Sequence, residues 1–100
     1  MGQIADSFDP AARFKLGSDV ILQQFGQEAL LLHVATENVY QLNATGAQIV
    51  GLLTQGKSVT EVMQQILGEF DVSEIQLARE FRDLLADLLE QKLIARATES

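Results

Sequence analysis

Val39-Tyr40-Gln41-Leu42-Asn43 reads as a short strand that runs directly into a helix. Val39, Tyr40 and Leu42 suit a pleated, half-buried surface, and Asn43 is a strong helix N-cap. Strand-like runs precede this junction and helix-like runs follow it. Upstream, Val20 to Phe25 forms one run and Glu28 to Ala35 a second, with Gly26-Gln27 between them. A two-residue link with glycine first is the signal of a type II′ hairpin. Thr36-Glu37-Asn38 supplies the next turn and Val39 to Leu42 the third strand, so a three-stranded antiparallel meander is expected. In the second run Leu30, Leu32 and Val34 share one face, and Leu31, His33 and Ala35 the other. Both faces are apolar enough to predict a central strand covered in part on each side.

Downstream, Ala47, Val50 and Leu53, with Ile49 and Leu52 beside them, recur at helical spacing. Gly56 stands where a left-handed residue ends a helix, and Gly51 inside it suggests close packing against a neighbour. Ser58 and Glu61 are spaced as a capping box, and Val59, Val62, Met63, Ile66 and Leu67 form the stripe of a second helix ending near Gly68. Ser73 and Gln76 repeat the box before a third helix that runs to about Gln91. Its stripe of Ile75, Ala78, Phe81, Leu85 and Leu88 is widened by Leu77, Leu84 and Leu89 beyond what one core face needs. Leu93-Ile94-Ala95 is either a closing strand or a docked tail. Three strands followed by three helices with short links predict an α+β, winged-helix-like domain.

Composition narrows the function classes. One hundred residues make one small domain, and an apolar fraction of 47% argues for a folded one. A net charge of −7 disfavours nucleic acid and anionic lipid as partners. With no cysteine and one histidine, His33, neither a disulfide framework nor a zinc site is expected. His33 reads as structural or half-exposed. The N-terminal residues lack a secretory pattern, and Asp6 stands where a myristoylation signal wants Ser or Thr, so a cytoplasmic protein is expected. No nucleophile elbow, Walker loop or dinucleotide fingerprint is present; Gln55-Gly56-Lys57-Ser58 lacks the upstream glycine and strand of a phosphate loop. Asp83, Asp87 and Glu90 line up on the third helix as a solvated face rather than a paired-carboxylate site, with Arg79 and Asp83 at ion-pair spacing. The catalytic, metal and cofactor inventory is empty, so a binding module is expected rather than an enzyme.

The run Val39-Tyr40-Gln41-Leu42-Asn43, the helix holding Ile49, Leu52 and Leu53, the link Gln55-Gly56-Lys57-Ser58-Val59-Thr60-Glu61 and the closing Phe81, Leu84, Leu85, Leu88, Leu93 and Ile94 resemble the PqqD family. These are small chaperone-like proteins, associated with pyrroloquinoline quinone synthesis and with recognition of ribosomally made, post-translationally modified peptides. Two positions depart from the family pattern: Glu80 stands where an Asp is usual, and Lys92 where a Gly is usual before the terminal Leu-Ile pair. The resemblance implies a recognition domain over residues 16–95, between a flexible lead-in, 1–15, and a flexible tail, 96–100. It implies capture of a precursor leader peptide by strand addition to the third strand beside the third helix, and its presentation to a modifying enzyme, either a radical S-adenosylmethionine enzyme or a leader peptidase. The independent reading agrees, since an edge strand offers sequence-tolerant main-chain hydrogen bonds and an adjoining apolar groove selects side chains. The expected peptide-binding residues are Val39, Tyr40, Gln41 and Leu42 on the edge and Leu77, Phe81, Leu84 and Leu88 in the groove.

Two other readings share the fold class. A winged-helix transcriptional regulator needs cations facing DNA, and the third helix region offers only Arg79, Arg82 and Lys92. A protein-binding adaptor, or a homodimer formed through the wide apolar stripe, needs no precursor peptide. In the lead-in, a helical turn is expected over Pro10 to Phe14, with Phe14 and Leu16 pinning the segment to the domain.

Overall fold

The computed structural model describes residues 11–97. Strands β1 (Phe14–Leu16), β2 (Val20–Phe25), β3 (Glu28–His33) and β4 (Asn38–Leu42) precede helices α1 (Ala44–Thr54), α2 (Val59–Glu69) and α3 (Glu74–Glu90), and β5 (Ile94–Arg96) closes the order. β2, β3 and β4 make the expected antiparallel meander, and β1 pairs with β5 in a separate two-stranded sheet. The architecture is α+β, as the order of elements predicted. Gly26 takes φ +63°, the conformation that the first position of the β2–β3 turn demands.

Each helix begins on the cap its sequence offers. Asn43 Oδ1 accepts the Gly46 N–H at 2.8 Å. Ser58 and Glu61 form the full reciprocal box, at 3.2 and 2.8 Å. The Ser58 N–H, and then Arg13, hold the Glu61 carboxyl below the usual carboxylate range. The second box is only half formed: Ser73 Oγ accepts the Gln76 N–H at 3.1 Å, but the Gln76 amide donates to Glu80 instead. A capping box requires the third-position side chain to turn back, and a carboxylate one turn ahead competes for it.

The inner face of the sheet packs on α1, which also touches β1, α2 and α3. Leu31, Leu42, Ile49, Leu53, Ile66, Leu77, Leu85, Leu88 and Leu93 are fully buried there. β3 is the central strand, buried on its inner face and covered in part on its outer face, as expected. Leu30 and Leu32 are half-buried, and Ile21, Leu32 and Val39 stand side by side in register on the outside. Among the described residues the three helices share one core with Ala29, Leu31 and Leu42 of the inner sheet face. Gly51 departs from expectation, because a Cβ built there meets nothing within 4 Å.

Residues 11–15 of the lead-in are more firmly tied than their aperiodic sequence implied. Phe14 is buried in the core, as is Ala12. The Ala12 carbonyl accepts the Val59 N–H at 3.1 Å, the Arg13 carbonyl accepts the Ala97 N–H at 2.9 Å, and Arg13 Nη1 donates to the Gly56 carbonyl. The boundary expected at residue 16 therefore falls inside a strand, and Phe14 belongs to that strand rather than to a helical turn. Three residues are too few to show a period of two, so pairing with β5 decided their conformation. Pro10, the rest of the lead-in and Thr98-Glu99-Ser100 lie outside the described residues.

Lys92 explains one departure from the family pattern. It takes φ +61° at the C-terminus of α3. Its N–H donates to the Leu89 carbonyl at 3.1 Å, and the Leu93 N–H donates to Leu88 at 2.8 Å. This is the Schellman pair of bonds, and the left-handed residue it needs is most easily glycine. A lysine Cβ is strained there, at a cost of about 1 kcal/mol. Lys92→Gly is expected to raise stability by about that amount, read as a higher urea midpoint at unchanged slope.

Candidate functional site: the β4 edge and the α3 cleft

Among the described residues only one side of β4 is paired. The Asp19 carbonyl accepts the Val34 N–H at 2.8 Å, and the two-residue turn closes on Phe25 and Glu28. Leu30, Leu32 and their alternates therefore direct their main-chain groups toward β2. Alternation leaves Ala29, Leu31 and His33 to bond β4 through their partners Leu42, Tyr40 and Asn38. Val39 and Gln41 are left with N–H and C=O groups aimed away from the sheet. Among the described residues no strand pairs with them. The edge is thus narrower than the four expected residues: Val39 and Gln41 offer main-chain groups, while Tyr40 and Leu42 have committed theirs to β3.

Beside this edge lies a cleft of about 290 Å³ between β4, the start of α1 and the middle of α3. Its apolar lining is Tyr40, Leu42, Ile49 and Leu84, and its polar lining includes Glu80, Asp83 and Asp87. Leu84 lines it with its side chain partly buried against the core. Tyr40 spans the junction: its hydroxyl donates to Asp87 Oδ2 at 2.9 Å, joining β4 to α3. Burial first, and then the hydrogen bond and charge of Asp87, push the Tyr40 phenol above its ordinary value of 10.0. This is the only tyrosine, and tryptophan is absent, so phenolate absorbance reads this one group. The titration midpoint is expected above 10.0. Asp87→Asn should lower it part of the way, because burial remains. Since the fold binds this proton more tightly than the unfolded chain does, the associated stability is present below the unfolded pKa and is lost as pH rises through the folded one.

The expected groove residues divide. Leu84 lines the cleft. Leu77 and Leu88 are 0% exposed and Phe81 is 2% exposed, all turned into the core. The three buried side chains do not form a groove surface. Leu42 is likewise a core side chain that reaches the cleft only from below. Sequence reasoning missed Ile49 and Glu80. The signal for Glu80 was present, since Glu80, Asp83, Leu84 and Asp87 follow the i, i+3, i+4, i+7 spacing of one helix stripe. Glu90, grouped with Asp83 and Asp87 from the sequence, does not line the cleft. Asp83 pairs with its neighbour Arg82 at 3.3 Å, not with Arg79. The carboxylates are strung along the cleft, and among the described residues no cluster of three or more could hold a metal.

The domain is α+β, and among the described residues its β4 edge is unpaired beside a partly apolar cleft. Residues 28–94 match the family model of coenzyme PQQ synthesis protein D, PqqD, and the chain belongs to that family. Two solved structures share its fold at a TM-score of 0.75. One is TbiB1 in complex with the TbiA(beta) leader peptide, 29% identical, covering 85% of this chain and 99% of its own. The other is a lasso peptide synthetase B1 complexed with the leader peptide, 28% identical, covering 84% and 99%. No curated protein matches the chain.

Proposed function

We propose that this protein is a non-catalytic recognition element that captures the leader segment of a ribosomally made precursor peptide. The segment adds as a strand to β4, bonding to Val39 and Gln41, and places a side chain over Leu84 and Tyr40. The bound precursor is then presented to a modifying enzyme. The observation that carries this is the unpaired β4 edge standing beside the α3 cleft. The family and the two leader-bound neighbours support the choice of ligand. The second open edge, β2, borders hollows that α3 does not line.

The test is an amide chemical-shift titration of the full chain with a synthetic leader peptide from a small open reading frame beside the gene. Shifts concentrated at Val39–Leu42 and along the Glu80–Asp87 face are expected. Saturable shifts confined to other residues, or none with any neighbouring peptide, would overturn the reading. The row of half-buried Leu32 between exposed Ile21 and Val39 favours a runner-up role in protein contact or dimerisation. Sedimentation at rising concentration separates the two, since a self-associating chain gains mass without peptide.

A further inference from the structure

The capture reading leaves open which peptides the cleft selects, and the charges lining it bear on that. Three carboxylates line the cleft, and no lysine or arginine does. Their partners differ. Asp83 is partly neutralised by Arg82 at 3.3 Å. Among the described residues Glu80 and Asp87 receive neutral donors, the Gln76 amide at 3.2 Å and the Tyr40 hydroxyl at 2.9 Å. A neutral donor satisfies an oxygen without cancelling its charge. An acidic row on an open helix face would be a solvated surface and nothing more. Here the row flanks Leu84, the apolar side chain of α3 that a strand added to β4 would meet.

The spacing then constrains the ligand. Glu80 lies about 6 Å from Leu84 along the helix axis, and Asp87 about 4.5 Å on the other side. Side chains on one face of an added strand recur about every 6.6 Å. For a strand running along the α3 axis in either direction, when one such side chain covers Leu84 the next on that face lies beside Glu80 or Asp87. A carboxylate there meets like charge, and a neutral side chain leaves the field uncompensated.

Resting on the peptide-capture reading, we infer that the cleft selects peptides with a lysine or arginine two residues from the apolar residue seated over Leu84, the cation pairing with Glu80 or Asp87. The net charge of −7 on the whole chain acts in the same direction, drawing basic segments toward the surface. These are rim charges, so the selection shows in association and in salt dependence as well as in affinity.

The experiment pans random 12-residue peptides displayed on phage against the full-length chain, then measures the selected peptides as synthetic copies against the native chain and two variants. Enrichment of Lys or Arg two positions from an apolar residue is the expected result. Changing that cation to Gln should weaken binding to the native chain about two- to fivefold, the range of an exposed ion pair. Against Glu80→Gln/Asp87→Asn the two peptides should bind alike, and raised salt should remove the difference on the native chain. Selected peptides that need the β4 edge but show no cationic bias would overturn this inference and leave the capture reading standing. Selected peptides that bind undiminished to Gln41→Pro do not use the edge, and would overturn both.

Discussion

Gln41→Pro is expected to lower leader-peptide affinity about five- to 150-fold while leaving the domain folded. The argument begins with which way one N–H points. Gln41 faces Leu30 across the β3–β4 pair, but the bonded partners on either side are Tyr40 with Leu31 and Leu42 with Ala29. The Gln41 N–H is therefore free of the sheet, and proline is tolerated on an edge strand where the missing donor faces outward. For an incoming strand the loss is larger. A main-chain bond disappears, the peptide carbonyl it would have satisfied is buried without a donor, and the proline ring occupies the approach. An unsatisfied buried group costs about 1–3 kcal/mol, which spans about five- to 150-fold in affinity. Gln41→Ala keeps the N–H and should bind within about twofold of the native chain. Titrating both variants with one peptide, and confirming their fold by amide spectra, checks the claim. Equal affinities for the two would remove strand addition at this edge.

The second large effect separates two residues that the helical stripe placed together. Phe81→Ala should cost about 3–5 kcal/mol of stability, the usual penalty for emptying a buried aromatic site. Phe81 is 2% exposed and packs in the core with Leu85, Leu88 and Ile94. A domain of this size has about 5–15 kcal/mol in total, so the variant should be far weaker to urea and partly unfolded when warm. Leu84→Ala should cost less stability, because the side chain only leans on the core. It should instead weaken peptide binding several-fold, since the apolar wall of the cleft on α3 is lost. Urea midpoints and peptide affinities for the pair make the comparison. If Leu84→Ala binds as tightly as the native chain, the cleft is not where the peptide rests.

The family relationship also changes how Lys92 and Glu80 are understood. Lys92 keeps a left-handed backbone that the family pattern satisfies with glycine, so the turn survives there under strain. Glu80 keeps the charge of the usual Asp, and it lines the cleft beside Leu84. The charge at this position therefore stands where a bound peptide would meet it.

Local chemistry along the chain was enough to place most elements. Asn43, Ser58 and Ser73 announce three helix starts, because a side-chain oxygen at an N-cap satisfies a main-chain donor wherever the helix ends up. Gly26 and Gly56 mark turns for an equally local reason, their positive φ. The leucine spacing established that α3 is amphipathic, and Val39 to Leu42 that a strand meets α1. What these signals cannot carry is the direction of a stripe wider than one face. Leu77, Phe81, Leu84 and Leu88 look alike in sequence, and packing against α1 and β5 took three of them inward and left Leu84 at the cleft. Strand alternation likewise shows that β4 has two sets of main-chain groups, but the register with β3 selects Val39 and Gln41 as the free ones. The pairing of Phe14 with Arg96 joins residues from opposite ends of the chain, and no local pattern in three residues encodes a partner so distant. Composition, caps and turns are properties of neighbours in sequence; burial, register and the company of Glu80, Leu84 and Tyr40 are properties of neighbours in space.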